Sequence, residues 1–165
     1  MIELSVIRDL VAIASFLIAL SYYIINIKNQ NKTRRAQLFM NLYDTYRSPE
    51  FRKIWHTQLH LEFKDYEEWK EKYVDDMDAL AGHTSVMSFF EGVGVLLKRN
   101  LIDIEIIDDL LSVAIRGYWR KYEPVVVGSR NQINEPKMMA DTEYLYNELM
   151  KINKEAPDFN KLWNR

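Results

Sequence analysis

The chain has 165 residues, 22 of them basic and 24 acidic, for a formal charge of −2. That balance excludes a whole-surface nucleic-acid binder, which is normally strongly basic. The absence of cysteine excludes disulfides, thiolate nucleophiles and cysteine-ligated metal clusters. Only 5 Gly and 4 Pro, with 48 % apolar and 13 % aromatic residues, describe one ordered, helical domain rather than disorder.

A mean hydropathy of −0.30 hides an uneven distribution. From Leu10 to Ile27 the chain reads LVAIASFLIALSYYIINI, 18 residues without a charge. As a helix this run is about 27 Å long, close to the ~30 Å hydrocarbon core of a bilayer. Tyr22 and Tyr23 lie near one end, where amphipathic rings favour the membrane interface. A buried core helix could be equally apolar, but the remaining chain is too small to wrap one on all sides. A cleaved signal peptide carries its basic residues before the apolar run and a small-residue cleavage site after it. Here the basic residues follow, as Lys28, Lys32, Arg34 and Arg35. The run therefore reads as a permanent transmembrane helix over 10–27. Its basic flank over 28–35 places the C-terminal domain in the cytoplasm, leaving 1–9 as a short extracytoplasmic N-terminus. The four cations suit anionic lipid head groups at ~1 kcal/mol each. Without the first 35 residues the chain has 17 basic and 22 acidic side chains. Nucleic acid is accordingly not an expected partner.

Residues 36–165 carry helical periodicity almost throughout. Leu38, Leu42 and Tyr46 fall four apart, which extends the first helix to about Arg47. Ser48-Pro49 reads as a cap followed by a first helical residue, opening a helix with Phe51, Ile54, Trp55 and Leu59 on one face. Asp65-x-x-Glu68 is a variant capping box. It opens a long helical region, with Trp69, Tyr73, Met77 and Leu80 on one side and then Val86, Phe89, Phe90, Val93 and Leu97. Gly82 is the expected kink or break. Asp103 caps the next helix, whose apolar residues (Ile107, Leu110, Leu111, Ala114, Tyr118, Trp119, with Ile106 and Val113 opposite) mark it as the central one, ending at Pro124. VVVGSRNQIN is the only strand or long-loop candidate. Asn134, Glu135 and Pro136 start the last helix, with Leu145, Leu149 and Ile152 inward, and the tail over 156–165 either docks through Phe159, Leu162 and Trp163 or frays. The expected fold is all-α: one transmembrane helix followed by a cytoplasmic bundle of about five helices.

The stretches MSFFEGVGVLLKRNLIDIEIIDDLL, RGYWRKYEPVV and DTEYLYNEL resemble the uncharacterised family catalogued as domain of unknown function 4760. The resemblance rests on Phe89-Phe90-Glu91-Gly92, Leu101-Ile102-Asp103, Tyr118-Trp119 and Pro124. It implies a small prokaryotic protein with one N-terminal transmembrane helix and a helical cytoplasmic domain. It implies no activity, cofactor or catalytic residue.

Two clusters are candidates for chemistry. His56 and His60 share a helix face, and with His83 they could supply a catalytic zinc site. The glutamate that follows the first His in metalloprotease helices is replaced by Thr57, and flank histidines are the simpler reading. The acids Asp75, Asp76, Asp78, Asp103, Asp108 and Asp109 read as caps and solvated faces. Glu91 differs, because it interrupts an apolar stripe beside Gly92 and Gly94. A carboxylate there needs a donor, and Arg116 or Tyr118 on the central helix is expected to supply it. Glu91, Arg116, Tyr118 and Trp119 would then form a buried polar lock or a partner site. No Walker-type, dinucleotide-binding or serine-elbow motif occurs in the chain. The leading expectation is a membrane-anchored, non-enzymatic interaction module that contacts lipid and another membrane protein or complex subunit. A metal-dependent enzyme using His56, His60 and His83 is the alternative.

Overall fold

The structure, a computed structural model, describes residues 3–155 and Asp158. Among these the chain is all-α, with α1 over Leu4–Arg47, α2 over Pro49–His60, α3 over Tyr66–Tyr73, α4 over Met77–Lys98, α5 over Ile104–Ile133 and α6 over Ala140–Ile152. No strand occurs among the described residues. The chain divides into two compact units, Met1–Phe39 and Met40–Arg165. The tail residues Phe159, Leu162 and Trp163 lie outside the described residues.

The first unit is the N-terminal part of α1, with its apolar side chains exposed from Leu4 to Ile27. The second unit begins in the last turns of α1 and holds the core. Ser48 caps α2 by accepting from the Phe51 amide at 3.1 Å, and Pro49 occupies the first turn. Asp65 caps α3 through the Glu68 amide at 2.9 Å, while the Glu68 carboxylate reaches back to the Lys64 amide at 2.9 Å. This is the expected box with its return bond shifted by one residue.

Three boundaries differ from the sequence expectation. The long region after Asp65 breaks at Val74–Asp76 rather than at Gly82. Asp76 offers its carboxylate to the amides of Asp78 and Ala79, both at 3.0 Å, and this local acceptor starts a new helix. The helical phase resets there, so Met77 is 71 % exposed while Ala79 and His83 are buried. Gly82 sits inside α4, where a Cβ would come closer than 3.0 Å to the Gln58 side chain.

The second difference is at Pro124, which α5 passes through. The stretch VVVGSRNQI is accordingly helix, with Val125 and Val126 buried. Third, Asn134-Glu135 ends α5 instead of starting α6. Asn134 takes the left-handed conformation (φ 55°), and the amides of Asn134 and Glu135 both bond the Arg130 carbonyl, the usual way of closing a helix C-terminus. The expected inward positions Leu110 and Ile152 also prove to be 45 % and 48 % exposed.

The core is built on α4, which packs against α2 and α6, while α5 packs against α3 and α6. Its largest fully buried side chains include Trp119, Tyr118, Tyr122, Phe90 and Met87. At Gly94 a Cβ would lie closer than 3.0 Å to the Asp141 carbonyl oxygen of α6, whereas at Gly92 it would meet nothing within 4 Å. Gly94→Ala should therefore destabilise by about 1–3 kcal/mol through forced separation of two backbones. Gly92→Ala should be neutral or stabilise by up to ~1 kcal/mol through helix propensity. Thermal melts of both variants in mild detergent check this; equal melting temperatures would contradict the close approach.

Candidate functional site

The N-terminal helix contains an 18-residue window of mean hydropathy 2.1, none of it buried within the molecule. It is long and apolar enough to cross a membrane. The two serines of the 10–27 run do not leave hydroxyls unpaired, because Ser15 and Ser21 donate to the carbonyls of Val11 and Leu17, each at 2.8 Å. Tyr22 and Tyr23 are 71 % and 62 % exposed, and the exposed Lys28, Lys32, Arg34 and Arg35 continue the same helix. Helix α4 meets the same length and composition test with mean hydropathy 1.3, but 44 % of its window is buried. It is the core helix of the second unit.

On α4 the positions Glu91, Gly94 and Lys98 face the start of α6. That helix begins at Met139 in the left-handed conformation (φ 54°) with no side-chain cap of its own. Glu91 supplies the acceptor from across the interface. Its carboxylate accepts from the Asp141 amide at 3.2 Å, and from the Thr142 amide and hydroxyl, each at 2.7 Å. Lys98 pairs with the Asp141 carboxylate at 2.7 Å. A negative group at a helix N-terminus meets both free amides and the positive end of the helix dipole.

Arg116 is thus not the partner of Glu91. Its guanidinium, 7 % exposed, bonds the Ser112 hydroxyl at 3.0 Å and the carbonyls of Asn153 and Glu155. Tyr118 and Trp119 also turn away from Glu91. Trp119 is 2 % exposed and meets the Tyr146 ring at 6.0 Å. The four residues expected together therefore belong to four separate arrangements, and Glu91 faces the start of α6 rather than the α5 positions.

Tyr118 joins a buried aromatic–polar stack. Its ring lies 4.3 Å from that of Tyr122, which lies 4.6 Å from the His83 imidazole. His83 Nδ1 is 3.2 Å from the Tyr118 hydroxyl, and Trp69 covers the imidazole at 5.3 Å. The Tyr122 hydroxyl reaches both the backbone and side-chain carbonyl oxygens of Gln58 at 2.9 Å, and the Gln58 amide donates to the Ala79 carbonyl at 3.0 Å. Burial pushes the His83 imidazole down to about 4 and raises the phenols of Tyr118 and Tyr122, since each charged form is poorly solvated there. At the stack's edge, burial lowers the Lys121 ammonium to about 8, with Glu62 partly opposing. That ammonium donates to the Leu59 carbonyl in the last turn of α2, where a cation is favoured.

The histidine trio is not assembled. His83 is held in the stack, His56 is half-buried on α2, and His60 is exposed with Nδ1 2.7 Å from the His56 carbonyl oxygen. Among the described residues no group of three His or carboxylate side chains is placed to hold a metal. Sequence reading passed over Gln58, Tyr122 and Thr142. Gln58 carries a usable signal, because it falls at helical spacing from Ile54, Trp55 and Phe51 within an apolar stripe.

Glu91→Ala should cost about 1–3 kcal/mol, from the lost cap and its charge-assisted bonds. Combined with Arg116→Ala it should be additive within ~0.5 kcal/mol, since the two share no partner. A larger coupling energy in denaturant melts would restore the Glu91–Arg116 pair. The depressed His83 value predicts an acid limb as well. The unfolded chain takes up the proton near pH 6.5 and the folded chain only near pH 4. Stability is therefore full above pH 6.5 and falls toward pH 4 by about 1.4 kcal/mol per pH unit at most. His83→Gln should flatten that limb in melts between pH 7 and 4; an unchanged limb would assign it to other groups.

Residues 9–149, more than four fifths of the chain, match the family model described as Domain of unknown function (DUF4760). No curated protein and no solved structure matches the chain. By the length of that match, spanning the apolar helix and the core up to the last turn of α6, the chain belongs to the DUF4760 family.

Proposed function

We propose that the chain is a single-pass membrane protein whose helical unit works in the cytoplasm as a non-enzymatic interaction module. The observation that carries this reading is the apolar window of α1, with mean hydropathy 2.1 and no part buried. Water is a poor solvent for such a surface, and a bilayer covers it along its full length. The basic residues Lys28, Lys32, Arg34 and Arg35 follow the window, which favours a cytoplasmic C-terminal side and contact with anionic head groups. Tyr22 and Tyr23 would sit at that interface. The groups with the largest shifts in proton affinity, His83, Tyr118 and Tyr122, are engaged with one another and with Gln58 in the core. They are tied to packing rather than presented to a substrate. A partner in the same membrane, such as a subunit of a larger complex, suits a single span with a folded cytoplasmic unit.

The full chain should stay in the pellet when membranes are washed with alkaline carbonate. Its intact mass should retain the apolar segment, which separates an anchor from a cleaved signal. Protease added outside intact cells should leave residues beyond Arg35 uncut. Release by carbonate would remove the anchor, and digestion of the helical unit from outside would reverse the orientation. In mild detergent the particle should carry a second protein; a strictly monomeric particle would count against the interaction role.

A further inference from the structure

A cleft of about 560 Å³ opens between α2 and α4, within the size range of small-molecule sites. It lies wholly in the second unit. The two helices run antiparallel along it. The Gln58 amide meets the Ala79 carbonyl at one end, and the Phe51 and Phe89 rings lie 4.8 Å apart at the other. Gln58 closes the floor. Its side chain is fully buried, occupies the space that a Cβ of Gly82 would take, and is held by the Tyr122 hydroxyl. A floor fixed in this way is formed before any ligand arrives. Ile54 and Ala81 give the cleft apolar walls.

Charge stands at both ends. The antiparallel register puts Glu50 and Lys53 of α2 at one end with Ser85 of α4, and Asp78 at the other. From Asp78 to Ser85 is about 10 Å of helix. At i,i+3 spacing Asp44 pairs with Arg47 at 3.1 Å and Glu148 with Lys151 at 2.6 Å. Glu50 and Lys53 share that spacing and leave the pair open. Among the described residues neither they nor the Asp78 carboxylate has an ion-pair partner. An acid beside a base, an apolar trough and a second acid about 10 Å away together define a charge pattern that a ligand can complement.

We propose that the cleft binds a free α-amino acid with a cationic side chain, lysine or arginine. The α-carboxylate meets the Lys53 ammonium and the Ser85 hydroxyl, and the α-ammonium meets Glu50. The methylenes cross Ile54 and Ala81, and the distal cation reaches Asp78. An extended lysine side chain spans about 6 Å from Cα to Nζ, and a hydrogen bond of about 3 Å at each end covers the remaining distance. Two acids and one base give the site a formal charge of −1, opposite to that of the ligand. A diamine would leave Lys53 unmatched, and a neutral side chain would leave Asp78 unmatched.

Isothermal titration of the full-length protein in mild detergent with L-lysine and with L-arginine tests this. At least one should bind saturably with Kd below about 10 mM. Norleucine lacks the distal charge and 1,5-diaminopentane lacks the α-carboxylate. Each should bind about fivefold more weakly or worse, as expected for one lost ion pair. Asp78→Asn should abolish the preference over norleucine, and Lys53→Met the preference over the diamine. Ala81→Leu places a good helix former at an exposed helical position, so it should keep the fold in thermal melts while filling the trough and blocking both amino acids. No saturable binding by either amino acid would overturn the site. Equal affinity for norleucine would overturn the contact at Asp78, and equal affinity for the diamine the contact at Lys53. Unchanged binding in folded Ala81→Leu would place the ligand outside the cleft and overturn the assignment.

Discussion

Helix α6 cannot begin without help from α4. Met139 adopts a left-handed conformation, and no side chain of the connector accepts from the first amides of the helix. Unsatisfied amides at a buried helix end are costly, so the acceptor has to come from elsewhere. Glu91 provides it with both carboxylate oxygens. Such a bond requires the α6 backbone to approach α4 within the space of a side chain, which the absent Cβ of Gly94 permits. Cap and close approach are therefore one constraint. Arg130 holds the connector from the other side, bonding the Met138 carbonyl at 2.8 Å and the Glu143 carboxylate at 2.7 Å.

Between α4 and α5 the opposite solution applies. Large rings fill the gap, with Phe90 against Tyr118 at 5.7 Å and Trp55 against Tyr118 at 5.2 Å. Rings of this size bury much apolar area but bring polar tips inside. Those tips are spent on one another, and Gln58 links α2, α4 and α5 by accepting from Tyr122 and donating to Ala79. Buried histidines and tyrosines with shifted proton affinities often mark active sites. Here the same shifts follow from sealing polar tips in an aromatic core, so they speak for packing.

The sequence carries the helical class, the Ser48 and Asp65 caps, and the apolar α1 window, because each depends on residues within a few positions. The partners of Glu91 were not legible. Helical phase places Glu91 at the edge of the inward stripe, but it cannot say which helix arrives there, and α6 arrives from fifty residues away. Of the two neighbouring glycines only Gly94 meets a backbone, a distinction that no local pattern contains. Arg116 was expected as the donor to Glu91; that its acceptors are instead carbonyls just past α6 depends on where the chain turns back.

Pro124 shows why local rules lose at the centre of the fold. Proline in a helix interior costs about 3 kcal/mol, through a missing amide and a clash with the carbonyl one turn earlier. A break there would have been the cheaper local choice. It would also have withdrawn Val125 and Val126, which are 0 % and 1 % exposed, and at full burial each valine is worth about 1.5–3 kcal/mol. One turn on, the Tyr66 ring lies where a Cβ of Gly128 would stand, and its hydroxyl bonds Gln132. The proline itself is exposed, so the carbonyl deprived of its amide faces the solvent side of the helix, where water can satisfy it. Packing on one face of α5 thus outweighs the defect on the other. The same asymmetry allows α5 to hold the core on one face while carrying exposed residues such as Val113 and Val127 on the other.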